Sequence, residues 1–86
     1  MIVKYSRRFL KQYYKLSPKI QERFQQRLNL WQIEPDSPLL GIHFLSRQFA
    51  GYYSLNVTGD IRALYHKVGA EYVLFGFIGS HSQLYR

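Results

Sequence analysis

Eighty-six residues, 47% hydrophobic and 17% aromatic, with 12 Lys plus Arg against 5 Asp plus Glu and no cysteine, describe one basic domain that must be stabilised by packing. The apolar content excludes intrinsic disorder, and the lack of Cys excludes a disulfide scaffold, a thiolate zinc site and a cysteine nucleophile. No charge-free apolar stretch approaches the ~20 residues of a membrane span, and the start MIVKYSRRF has no signal-peptide apolar block, so a cytoplasmic protein with no membrane partner is expected.

The net charge of +7 is concentrated at one end. From Met1 to Leu30 there are eight basic residues (Lys4, Arg7, Arg8, Lys11, Lys15, Lys19, Arg23, Arg27) and one acid, Glu22. From Trp31 onward Arg47, Arg62, Lys67 and Arg86 balance Glu34, Asp36, Asp60 and Glu71. A field of this kind attracts phosphates or an acidic protein segment, and says nothing by itself about chemistry.

Ile2-Val3-Lys4-Tyr5 reads as a short opening strand. Ser6 caps a helix whose Phe9, Tyr13 and Leu16 share a face beside a row of Arg7, Lys11 and Lys15. Ser17-Pro18 starts a second helix, from Pro18 to about Ile33, with an apolar stripe of Ile20, Phe24, Leu28 and Trp31 and a basic row of Lys19, Arg23 and Arg27. Pro35, Pro38 and Gly41 end it in a loop.

After Ile42 the chain becomes β-branched and aromatic, predicting strands at about 42–46, 51–57, 60–68 and 71–78 in an antiparallel meander turning at Thr58-Gly59 and Gly69-Ala70. The order β-α-α-β-β-β-β predicts an α+β domain, with a helical hairpin covering one face of a twisted antiparallel sheet and the other face open. Ser54 and Asn56 share a face of one strand; Asp60, Arg62, Leu64 and His66 share a face of the next. A two-residue Thr58-Gly59 turn would put Asn56 and Arg62 on opposite faces. A three-residue Val57-Thr58-Gly59 loop, with Gly59 left-handed, would pair Asn56 with Asp60 and Ser54 with Arg62. The second segregates polar from apolar side chains and is favoured, although parity leaves both open.

Histidine suits proton transfer near neutral pH, and the chain has three. His66, next to Lys67, reads as structural. His43 precedes the second strand. His81 follows Gly79-Ser80 at the end of the last strand, where Ser80 would cap a short turn that puts His81 and Tyr85 on one side. Arg62 either pairs with Asp60 or Glu71 or faces an open, anion-binding side. No metal-ligand spacing or glycine-rich phosphate loop occurs, so no cofactor is expected. Phosphodiester cleavage without a metal is most plausible for RNA, whose 2′-hydroxyl can act as nucleophile.

These features resemble the RelE/ParE superfamily of type II toxin–antitoxin toxins over nearly the whole chain. The resemblance lies in S-R-R-F-L-K-Q after the opening strand, the basic hairpin, G-Y-Y-S-L-N-V-T-G-D-I-R-A-L-Y, and the closing G-S-H-S-Q-L-Y. The closing motif is similar to the G-T-H-x-x-L-F/Y ending of YafQ-like ribosome-dependent mRNA interferases. That resemblance implies an endoribonuclease with His81 as catalytic acid/base, His43 and Asp60 as participants, and Tyr85 on the substrate. It also implies Arg62, Asn56 and Arg47 as substrate or phosphate contacts. Asn56 stands where the pattern has a second histidine and Phe77 where it often has an arginine, so the expectation is either that Arg47, Arg62 or Arg86 supplies the positive charge or that activity is weak. Lys11, Lys15, Lys19, Arg23 and Arg27 would dock on ribosomal RNA or antitoxin. The implied partners are an acidic antitoxin encoded alongside, the ribosome and mRNA, and operator DNA only through the antitoxin complex. The alternatives are a ParE-like topoisomerase (gyrase) inhibitor without nuclease activity, and an inactive antitoxin-binding member acting in operon repression.

Overall fold

The computed structural model describes residues 2–85. The chain runs β1 (Ile2–Tyr5), α1 (Arg7–Tyr13), α2 (Pro18–Ile33), β2 (His43–Phe44), β3 (Tyr53–Asn56), β4 (Ile61–Val68), β5 (Tyr72–Ser80) and α3 (His81–Leu84), with 3-10 turns at Pro38–Leu40 and Arg47–Phe49. Among the described residues no helix is long and apolar enough to cross a membrane.

Both helix starts follow from their caps. Ser6 Oγ accepts the Phe9 N–H at 3.0 Å, and Ser17 Oγ accepts the Ile20 N–H at 3.3 Å with Pro18 at the first helical position. α1 ends at Tyr13, a turn short of the predicted Phe9–Tyr13–Leu16 face. The residue before a proline is disfavoured in helical conformation, and Ser17 is extended at ψ 153°, so the chain leaves the helix before Ser17. Leu16 still packs against the core from the connection.

The five strands lie in the order β1-β5-β4-β3-β2. β2 to β5 form the expected antiparallel meander, but β1 pairs with β5 in parallel, from Ile2 beside Tyr72 to Tyr5 beside Phe75. The helical hairpin carries the chain from β1 at one edge to β2 at the other. Phe9, Phe24, Leu28 and Trp31 from the helices meet Leu55, Ala63, Tyr65 and Phe75 from the sheet. Phe24 and Phe75 are fully buried with ring centroids 5.3 Å apart, near perpendicular, and each contributes ~1.5–3 kcal/mol by burial.

The other face is less open than expected. Leu45, Phe49, Leu64 and Leu84 form a second buried cluster there, flanked by Tyr52 and Phe77. A bulge in β5 brings Phe77 to it: Leu64 pairs with Phe77 but Tyr65 with Phe75, so Gly76 is an extra residue that reverses the side-chain phase.

The β3–β4 register differs from both sequence alternatives. Asn56 pairs with Arg62 and Ser54 with Leu64, leaving Thr58-Gly59-Asp60 as the loop. Thr58 Oγ1 closes it by accepting the N–H groups of Asp60 (3.2 Å) and Ile61 (2.9 Å), so Gly59 is not required to be left-handed and is not. The favoured register is off by two residues, which preserves the face: Ser54, Asn56 and Arg62 remain on one side.

Candidate active site

Ile61 at the start of β4 pairs with Ser80 at the end of β5, so the next residues outward are Asp60 and His81. Across the sheet His43 pairs with Ser54, and Ser54 with Leu64. These strand ends and α3 enclose a cleft of about 270 Å³ lined by His43, Ser54, Gly59, Asp60, Arg62, His81 and Tyr85.

His81 stands on a rigid turn. Ser80 Oγ accepts the Gln83 N–H at 3.2 Å, and Gln83 Oε1 accepts the Ser80 N–H at 2.8 Å, a reciprocal cap readable in the S-x-x-Q spacing. Leu84 anchors the turn in the second cluster. The His81 and Tyr85 rings lie 4.6 Å apart, and Tyr85 meets Phe49 edge-on at 5.2 Å.

His43 opens β2 on the exposed side of the cleft, its Nδ1 2.9 Å from the Gly41 carbonyl. A carbonyl only accepts, so Nδ1 carries the hydrogen, and in the neutral ring Nε2 holds the lone pair. Gly41 is left-handed at φ 52°, and a Cβ there would overlap the Asn56 side-chain amide. Asn56 therefore stands behind the residue that orients His43 and is not among the residues lining the cleft. That backing role had no signal in the sequence.

Arg62 does line the cleft, yet among the described residues its guanidinium is engaged by its own turn and not by Asp60 or Glu71. Nη1 donates to the carbonyls of Thr58 (2.8 Å) and Ile61 (3.1 Å), and Nη2 to Gly59 (3.2 Å). Nε and one Nη2 hydrogen remain for another acceptor. Arg47 is exposed beyond the cleft-lining set, in left-handed backbone at φ 59°. Arg86 lies outside the described residues.

No family model matches this sequence, and no curated protein does. Solved structures match over almost the full length. YafQ from E. coli BL21(DE3) superposes with a TM-score of 0.80 at 21% identity, covering 99% of this chain and 98% of that one. A YoeB/ParE toxin from Agrobacterium tumefaciens gives 0.75 at 18%, covering 94% and 99%. The chain has the fold of these toxins. A chain of the E. coli DinJ–YafQ toxin–antitoxin complex gives 0.77 at 22%, covering 99% and 97%. The RelE-like architecture expected from the sequence is present.

On this toxin fold Lys11, Lys19 and Arg23 are exposed along the two helices, and Lys15 is exposed in the connection between them. Arg27 is half-buried, its Nε donating to the Val57 carbonyl at 3.4 Å, so it ties α2 to the end of β3. A larger groove of about 700 Å³ runs between the end of α2 and the β4–β5 turn, lined by Trp31, Tyr53 and Tyr65 among others. It holds none of the expected site residues, whereas the smaller cleft brings together His43, Asp60 and His81. Among the described residues no three His, Asp or Glu side chains converge as a metal-ligand set.

Proposed function

We propose that this chain is the toxin of a type II toxin–antitoxin pair, a ribosome-dependent endoribonuclease that cleaves mRNA and stops translation. The observation that carries the reading is the cleft in which His43, Asp60, Arg62, His81 and Tyr85 converge. The fold shared with YafQ and YoeB/ParE toxins supports it.

His43 Nε2, left with its lone pair by the Gly41 contact, takes the proton of the substrate 2′-hydroxyl. The 2′-oxygen attacks the adjacent phosphorus, and the bond from phosphorus to the 5′-oxygen breaks, leaving a 2′,3′-cyclic phosphate. His81 protonates the departing 5′-oxygen. Asp60, next outward beside His81, orients or accepts, while the free donors of Arg62 meet the phosphate. Tyr85 offers its ring, 40% exposed, to a base. Lys11, Lys15, Lys19 and Arg23, exposed on the helical hairpin, dock on ribosomal RNA or on an acidic antitoxin encoded alongside, through which the protein reaches operator DNA.

The test is cleavage of mRNA on purified ribosomes followed by primer extension. Wild type should cut and His81→Ala should not. Growth arrest with intact mRNA and damaged DNA would replace this reading with topoisomerase inhibition. Absence of growth arrest on expression alone would leave antitoxin binding and operon repression.

A further inference from the structure

Arg8 is exposed on α1, outside the cleft, yet its side chain is held at two points. Its guanidinium carbon lies 3.6 Å from the centroid of the Phe77 ring, and its Nε donates to the Gly76 carbonyl at 3.1 Å. Both contacts depend on the β5 bulge, which turns Phe77 onto the face opposite the helices. Ser6 Oγ donates to the same Gly76 carbonyl at 3.2 Å and helps to fix it. The outer edge of the guanidinium, with its Nη1 and Nη2 donors, is left to an external acceptor.

Phe77 also begins a continuous row of rings. Its centroid is 5.0 Å from Phe49, Phe49 is 5.2 Å from Tyr85, and Tyr85 is 4.6 Å from His81. Phe77 and Ser80 are three residues apart on β5, ~10 Å at about 3.3 Å per residue, and His81 follows Ser80 as the first residue of α3. Arg8 is thus too far from His81 to share its phosphate and well placed for a neighbouring one on the same strand. Arg62, the arginine lining the cleft, has three donors spent on turn carbonyls, so charge for the rest of the strand must come from elsewhere.

We propose that Arg8, stacked on Phe77, binds a phosphate of the substrate RNA flanking the scissile one, with the strand following the ring row from Tyr85 towards Phe77. This rests on the endoribonuclease reading above. A guanidinium fork matches phosphate geometry, and one already held by stacking and a carbonyl loses less side-chain freedom on binding. Arg8 is a binding residue, so its loss should raise KM and leave kcat in place.

The experiment measures mRNA cleavage on programmed ribosomes, with single neutral methylphosphonates placed at successive positions beside the cleavage site. For wild type, one flanking position should raise KM roughly fivefold, the size of an exposed charge pair. Arg8→Gln should show that rise on unmodified mRNA and no further rise at that position, whereas Arg7→Gln, with the same charge loss, should retain the wild-type profile. A wild-type profile flat at every flanking phosphate overturns the inference and leaves the nuclease reading standing; so does an Arg8→Gln profile equal to wild type. Failure of wild type to cut any mRNA overturns the nuclease reading, and the inference falls with it. The methylphosphonate scan on wild type does not depend on how any variant folds.

Discussion

The rings of His81 and Tyr85 lie 4.6 Å apart on one side of a single helical turn whose start is fixed by the reciprocal Ser80–Gln83 cap. This places, on the proposed reaction, a proton donor and a base-stacking ring together on backbone that costs little to order on binding. On the proposed reaction, His81→Ala should lower kcat by about 10²–10⁴ with a small change in KM. Tyr85→Ala should act mainly through KM, by the ~1–3 kcal/mol of a lost stacked base. Single-turnover and steady-state cleavage on programmed ribosomes separate the two.

The Gly41 contact gives a second expectation. Gly41→Ala introduces a Cβ against the Asn56 amide and into left-handed backbone at φ 52°. It should cost about 1–3 kcal/mol of stability and displace the carbonyl that sets the His43 tautomer. Adding Asn56→Ala should recover part of the loss by removing the overlap, leaving the backbone strain. Urea unfolding of both single variants and the double variant measures that coupling.

Arg62 combines a cleft position with a turn-binding role, and the two separate by substitution. Arg62→Lys keeps the charge but cannot bridge three carbonyls, so the 58–60 loop should loosen at about 1 kcal/mol. Hydrogen exchange of the Ile61 and Asp60 amides should accelerate in this variant while that of α2 stays unchanged. Equal protection of the loop in both proteins would show that the carbonyl contacts do not hold it.

What could be read from the sequence divides along local and long-range contacts. Ser6, Ser17-Pro18 and S-x-x-Q at Ser80 mark helix starts because a cap and the N–H it satisfies are three residues apart. His81 is legible as a candidate by residue type and by its place after the last strand, whereas the roles of His43, Asp60 and Tyr85 come from the family resemblance. The β3–β4 register was not, because the Thr58 hydroxyl closes the loop in a way that face parity cannot distinguish from a two-residue shift. Nor was the face of Phe77: the pattern Phe75-Gly76-Phe77 puts both rings on one side until the bulge is known. The roles of Asn56 behind Gly41 and of Arg62 on its own turn rest on contacts that residue type does not encode.

Arg47 occupies left-handed backbone, which costs a residue with a Cβ about 1–2 kcal/mol. Arg47→Gly relieves that strain but gives the unfolded chain more freedom, so stability should rise by up to about 1 kcal/mol. If Arg47 contacts phosphate, cleavage should fall in the same variant, and Arg47→Lys should keep part of the activity without the gain in stability. A more stable Arg47→Gly protein with wild-type cleavage removes Arg47 from the substrate interface.

Tyr65 sets the behaviour at alkaline pH. It is 2% exposed and stacks on Tyr53 with centroids 5.4 Å apart; burial first, and the neighbouring Tyr53 second, push its phenol up to about 12 from 10.0. Between these values the unfolded chain releases a proton that the folded protein keeps. The stability associated with the neutral phenol is fully present below pH 10 and declines as pH rises towards about 12, by up to ~1.4 kcal/mol per pH unit. Tyr5, raised by burial and by Tyr13, adds to the same slope. Tyr65→Phe has no proton to lose at this position, so its urea midpoint should fall less steeply than wild type above pH 10. Parallel midpoints for the two proteins across that range would show that the Tyr65 phenol does not govern the alkaline transition.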